Sequence, residues 1–161
     1  MIKAIDWRLR PPYQSFLGGP LYPNGCSGTM EDVIAEMDEA GVLIGVAPFR
    51  KGMDNADGEK LIEAYGDRFR YLVHIDPWDG FAKAQEEIEK YVLKGHASGI
   101  IMEPGQRFIK APIKADDQKL MYPIYEFCEK NNILLTLTFG GLMAVKLAYY
   151  DPNYCRNTFS A

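Results

Sequence analysis

Arg8 and Arg10 stand two residues apart in the stretch Ile2–Pro12 (IKAIDWRLRPP), which reads as a first strand. Side chains on a strand alternate between faces, so Ile5, Trp7 and Leu9 are expected on one side and Asp6, Arg8 and Arg10 on the other. Paired guanidinium groups at that spacing can offer forked donors to a carboxylate or phosphate. Further along, His74 and Asp76 close the stretch RYLVHIDP, Glu103 follows SGIIM, and Thr136 and Thr138 alternate with leucines in ILLTLT. Histidine titrates near neutrality and a carboxylate can accept a proton or orient water. His74 and Glu103 are therefore the candidates for general acid-base work, with Arg8, Arg10, Asp76 and Thr138 as substrate-binding groups. Each has a structural reading beside the chemical one. The arginines could pair internally with Asp6, Asp76 or Glu103, His74 could be a hydrogen-bonded rim residue, and the threonines could simply pack.

The elements that must position these residues follow one rhythm. Leu17–Gly28 (LGGPLYPNGCSG) is a loop by composition, long for a connection between a strand and a helix. Thr29 opens a helix with a capping pattern through Asp32, and Gly41 closes it. Val42–Pro48 is a continuous apolar run, as expected of a strand covered on both faces. A second helix is expected over about Asp57–Tyr65, with Gly58 counting against its start. Arg70–Ile75 is a third strand, broken at Asp76-Pro77. The clearest helix runs from Gly80 to Leu93, with Phe81, Ala84, Ile88, Tyr91 and Val92 on one stripe. Ser98–Met102 is a fourth strand, halted by Glu103-Pro104-Gly105. A connecting segment to Gln118 leads to a helix opened by Pro123 and ended at Asn131-Asn132, with Ile124, Phe127 and Cys128 inward. Ile133–Thr138 is the fifth strand.

Five strands alternating with four helices predict an α/β protein with a parallel sheet and right-handed crossovers. At 161 residues the chain is read as one domain, 1–161. Length favours an open five-stranded sheet of the flavodoxin type, whereas a (β/α) barrel needs eight strands. The strand ends favour the barrel, because polar residues gather at the carboxyl ends of the strands, where barrels keep their sites. No GxGxxG pattern follows the first strand, so a phosphate-binding loop has weak support.

Composition narrows the function classes. A net charge of −4 with scattered Lys and Arg argues against a nucleic-acid surface. No apolar run reaches the roughly 18 residues of a membrane span, and MIKAIDW lacks a signal-peptide layout, so a cytoplasmic protein is expected. Cys26, Cys128 and Cys155 are odd in number and widely spaced, which predicts free thiols and no metal clip. Cys26 is read as inert. His96 falls at the opposite end from the strand mouth and is read as surface decoration.

Several segments together resemble the amino-terminal part of the amidohydrolase superfamily, in the branch of amidohydrolase-2 hydrolases and metal-dependent decarboxylases. IDWRLRPP sits where that family has Ile-Asp-x-His-x-His, and EDVIAEMDEAGV is similar to its first helix and Ala-Gly turn. GDRFRYLVHIDP and GIIMEPGQRF resemble its third and fourth strands, and LMYPIYEFCEKNNILLTLTFGG its next helix and fifth strand. The resemblance implies a partial TIM-type (β/α) barrel of about five parallel strands, and a hydrolase of carbon-nitrogen or ester bonds or a decarboxylase of a small carboxylated substrate. The departures fall on the metal ligands. Arg8 and Arg10 occupy the two first-strand histidine positions, Thr138 the fifth-strand one, and Glu103 the place of a fourth-strand histidine. Guanidinium has no free lone pair and stays protonated, so no metal and no cofactor are expected, and a small anion is the expected partner. A partial barrel exposes strand edges, which predicts a homo-oligomer, or else a shortened product of a longer enzyme. The competing class is a non-catalytic anion-binding or interaction protein.

Overall fold

The computed structural model describes residues 3–9, 29–49, 53–104 and 113–138. In these, strands β1 (Ala4–Asp6), β2 (Val42–Pro48), β3 (Phe69–His74), β4 (Ile100–Met102) and β5 (Leu135–Leu137) alternate with helices α1 (Met30–Ala40), α2 (Ala56–Tyr65), α3 (Phe81–Ile88) and α4 (Tyr122–Lys130). All neighbouring strands pair in parallel, in the order β1-β2-β3-β4-β5. That order decides between the two architectures left open by the sequence. A flavodoxin-like sheet reverses its strand order once and so carries helices on both faces. Here every right-handed crossover steps the same way, which places the helices on one face and curls the sheet into part of a (β/α) barrel.

The two faces are distinct. Phe69, Tyr71, Val73 and Ile75 of β3 and its end, with Ala47, Phe49, Ile100 and Met102, are buried in a core shared with Met30, Met37, Leu61, Ala84, Ile88, Ile124 and Cys128 of the helices. Val46, Leu72 and Ile101 form a smaller apolar cluster on the opposite, concave face.

Local chemistry explains most boundaries. Asp32 N donates to Thr29 Oγ1 at 3.2 Å and Thr29 N to Asp32 Oδ2 at 2.8 Å, a reciprocal cap that starts α1. Gly41, at φ 74°, ends α1 in the left-handed region, and its carbonyl accepts from Ala4 N at 3.0 Å. Helix end and first strand are thereby joined. The helix expected across 80–93 is instead α3 followed by a π-helical turn, Glu89–Leu93, in which Lys94 N reaches back five residues to Glu89 O at 3.1 Å. A π turn adds one residue per turn. Tyr91 is buried in the helix-side core beside Ala84 and Ile88, and Val92 packs partly against it. Strands β4 and β5 are shorter than the stretches 98–102 and 133–138, and β1 is far shorter than 2–12.

Gly58 marks a contact, not a weakness in α2. A Cβ built there would lie 2.2 Å from Cε2 of Tyr71, so the ring occupies the space a side chain would need. Alanine in a helix ordinarily gains about 0.5–1 kcal/mol over glycine. Overpacking a filled core costs about 1–3 kcal/mol. Gly58→Ala is therefore expected to lower the urea midpoint at unchanged m-value, whereas a midpoint that rises would show that Tyr71 yields freely.

Candidate site at the strand mouth

Strand register sets the geometry of the mouth. His74 pairs with Ile101, and Ile101 with Thr136. Ile75 N donates to Ile101 O and Thr138 N to Met102 O, each at 3.0 Å, so the pairing runs on past the assigned strands. Continued one step further, it brings Glu103 alongside Thr138, with Asp76 on the other side of Glu103. Glu103 is 9% exposed, the one buried charged residue among those described. A carboxylate so placed is sensitive to whatever charge enters beside it.

The first strand departs from the expected alternation. β1 ends at Asp6, whose Oδ1 accepts from Arg8 N at 2.9 Å, and Trp7 and Arg8 form a turn. Aspartate competes for backbone in this way, closing a turn over its second neighbour. The faces change accordingly. Ile5 pairs with Ile44, in the concave row that leads to Val46, and is 63% exposed. Leu9 lies over Gly45 against the helix-side core. Trp7 and Arg8, expected on opposite faces, both line one concave cleft of about 220 Å³. Leu72 and Ile101 line it as apolar residues, and Thr136 and Thr138 contribute hydroxyls. Of the residues expected to bind substrate, Arg8 and Thr138 thus share a cleft, while Arg10 lies outside the described residues.

His74 and Asp76 line a different cleft, of about 360 Å³, together with Asp54, Asn55, Asp79 and Glu87. Asp76 Oδ1 accepts from Trp78 N at 3.1 Å and so caps the short 3-10 turn Pro77–Asp79. Asn55 is the residue that sequence reasoning missed. Its side-chain amide accepts from His74 N at 3.1 Å and donates to His74 O at 3.3 Å. It thereby takes the place of a neighbouring strand beyond the end of β2. The same Nδ2 donates to Glu87 Oε2 at 3.0 Å, and Glu87 pairs with Lys83 at 2.9 Å. Only an Asn in a polar run, MDNADG, is visible in the sequence, and such a run reads as loop.

At the other end of the sheet, Glu59 receives Tyr71 OH and His96 N, the latter at 2.9 Å, and faces His96 Nδ1 at 2.6 Å. The His96 side chain is 71% exposed, at the surface as expected, but it is tied to α2. Burial pushes the Cys128 thiol up to about 11, which leaves it inert. Cys26 and Cys155 lie outside the described residues.

Arg8 and Thr138 do not suit the histidine positions of the metal centre that the resemblance would bring. Arg8 offers donors only, Thr138 offers a neutral hydroxyl, and among the described residues no three His, Cys, Asp or Glu side chains could hold a metal ion. Also among the described residues, no helix is long and apolar enough to cross a membrane.

No family profile and no curated protein matches this sequence. The fold does match solved structures. An amidohydrolase II is 14% identical with a TM-score of 0.61, covering 92% of this chain and 55% of its own. The 5-carboxyvanillate decarboxylase of Sphingomonas paucimobilis is 16% identical with a TM-score of 0.63, covering 100% and 58%. The 2,6-dihydroxybenzoate decarboxylase of Rhizobium is 12% identical with a TM-score of 0.67, covering 94% and 55%. This chain therefore spans little more than half the length of the structures it matches, and what it shares with these amidohydrolase-type enzymes is the fold. A further match, a 5-carboxyvanillate decarboxylase of Novosphingobium aromaticivorans at 18% identity and a TM-score of 0.50, over 67% of this chain and 33% of its own, was solved with manganese bound.

The Asn55 clamp has a pH signature. Burial raises the Glu87 carboxyl, but the hydrogen bonds from Asn55 and Lys83 outweigh it and hold the group below the usual carboxylate range. A depressed carboxylate contributes stability above its unfolded pKa, and that contribution is lost as pH falls through the folded value. Asn55→Ala removes one of those bonds and both bonds to His74, a loss of about 1–3 kcal/mol at neutral pH. In urea titrations the deficit is expected to narrow below about pH 4, where unfolded glutamate protonates, without vanishing. A deficit that is constant with pH would remove Glu87 from the clamp.

Proposed function

We propose that this chain belongs to an amidohydrolase-type enzyme, a hydrolase or decarboxylase of a small carboxylated molecule, in which a guanidinium stands where the fold's relatives by resemblance keep metal-binding imidazoles. The observation that carries the reading is Arg8 turned into the concave cleft beside Thr136 and Thr138, next to the row that holds buried Glu103. In this reading Arg8 binds the substrate carboxylate through its forked donors, and the Thr138 hydroxyl orients it. Glu103 takes a proton from the water that attacks the ester or amide carbonyl, and His74 returns a proton to the leaving group. For a decarboxylation the proton instead goes to the carbon that carbon dioxide leaves. Neither course routes a step through a metal.

The matched enzymes' chemistry supports the class and leaves the substrate open. β1 and β5 are the outer strands of the described sheet, and Leu43 and Leu134 on the neighbouring segments are exposed. We accordingly expect the protein to work as a homo-oligomer or within a larger barrel that covers these edges.

The test is turnover by the purified protein on a panel of lactones, amides, aromatic acids and β-keto acids. Glu103→Gln is expected to lower kcat by about 10²–10⁴-fold with binding retained, the usual contribution of a positioned acid-base group. An unchanged rate removes Glu103 from the mechanism. Binding of carboxylates with no turnover on any substrate would instead establish an anion-binding protein.

A further inference from the structure

Trp7 is the feature that the proposed chemistry leaves unused. It is 45% exposed, a large apolar surface left in contact with water, yet it lines the same concave cleft as Arg8. The reason is local. Asp6 closes a turn on Arg8 N, strand alternation stops, and two consecutive side chains face one cavity where a strand would have sent them to opposite sides. Leu72 and Ile101, 0% and 3% exposed, line the same cleft as apolar residues, and Thr136 and Thr138 add hydroxyls. At about 220 Å³ the space is smaller than the roughly 300–1,000 Å³ of drug-sized sites.

We propose that Trp7 is the specificity-determining residue of this cleft, selecting planar organic anions by stacking on its indole while Arg8 holds their charge. The inference rests on the reading of the concave cleft as the carboxylate site, and it adds what chooses among carboxylates. The two recognition elements act on separate properties of the ligand. A guanidinium fork reads the carboxylate plane but is indifferent to the body behind it. An indole face rewards a flat unsaturated body through offset stacking and area burial, and gains less from a puckered ring. Asp6 is then a positioning residue, because its turn presents Trp7 and Arg8 together.

The chain has two tryptophans, Trp7 and Trp78, so fluorotryptophan-labelled protein gives two fluorine resonances. Trp7→Phe assigns them by removing one. Benzoate is expected to shift the Trp7 resonance saturably and leave that of Trp78 in place. By calorimetry, Trp7→Leu and Arg8→Gln should each weaken benzoate about tenfold or more, while Trp7→Phe stays within about threefold. Cyclohexanecarboxylate, equally charged but puckered, should bind the native protein about tenfold more weakly than benzoate and lose little further in Trp7→Leu. Asp6→Asn, which can form the same turn, should keep benzoate affinity, and Asp6→Ala should lose it. Circular dichroism confirms that each variant keeps its fold, which is expected because Trp7 and Arg8 lie outside the buried core. An unmoved Trp7 resonance, absence of benzoate binding, or equal affinity in Trp7→Leu overturns the proposal. Benzoate binding that depends on Trp7, in a preparation that turns over no substrate, keeps the proposal and removes the enzymatic reading. Turnover that is indifferent to Trp7→Leu does the reverse.

Discussion

The contact on which the rest depends is the ring of Tyr71 lying against Gly58. Tyr71 sits in the middle of β3, fully buried, with Phe49 tilted against it at 5.4 Å between ring centres. Its carbonyl accepts from Ser98 N at 3.0 Å, and its hydroxyl reaches Glu59 on α2. One residue therefore joins the end of β2, α2 and the approach to β4 to the middle of β3. β3 is thus held at two points, in its middle by Glu59 of α2 on the Tyr71 hydroxyl and at the mouth by Asn55, which directly precedes α2. The position of His74 is a consequence of that packing as much as of its own strand.

What could be read from the sequence was whatever depends on neighbours a few residues away. The capping box at Thr29 and Asp32, the left-handed stop at Gly41 and the apolar runs of β2 and β3 are local, and their boundaries lie close to where the pattern puts them. The alternation of Leu135 and Leu137 with Thr136 and Thr138 also holds, with the leucines packed against the helix-side core. The failures all involve a side chain that competes with the backbone or reaches across elements. Asp6 spends its carboxylate on its own chain and ends β1 after three residues. The π turn after Ile88 carries Tyr91, which is buried in a core built by other elements. Asn55 acts only because β3 ends 19 residues further on with two backbone groups in need of partners.

The candidate site was legible as a set of strand ends and not as an arrangement. Sequence places His74, Asp76, Glu103 and Thr138 at the carboxyl ends of three strands, and parallel pairing does bring those ends to one mouth. It does not say which side of the sheet each group serves. Arg8 and Thr138 line the concave cleft, whereas His74 and Asp76 line the cleft shared with α3, where Asp76 caps a turn and Asn55 grips the histidine backbone. The register still sets His74 beside Ile101 and therefore one step from Glu103. The His74 side chain itself lines the cleft shared with α3.

In the proposed function, a guanidinium in place of a neutral imidazole changes the order of events at the mouth. A metal centre must first be assembled from deprotonated ligands, so its charge depends on pH and on metal supply. A guanidinium, by contrast, is a permanent cation and needs no loading.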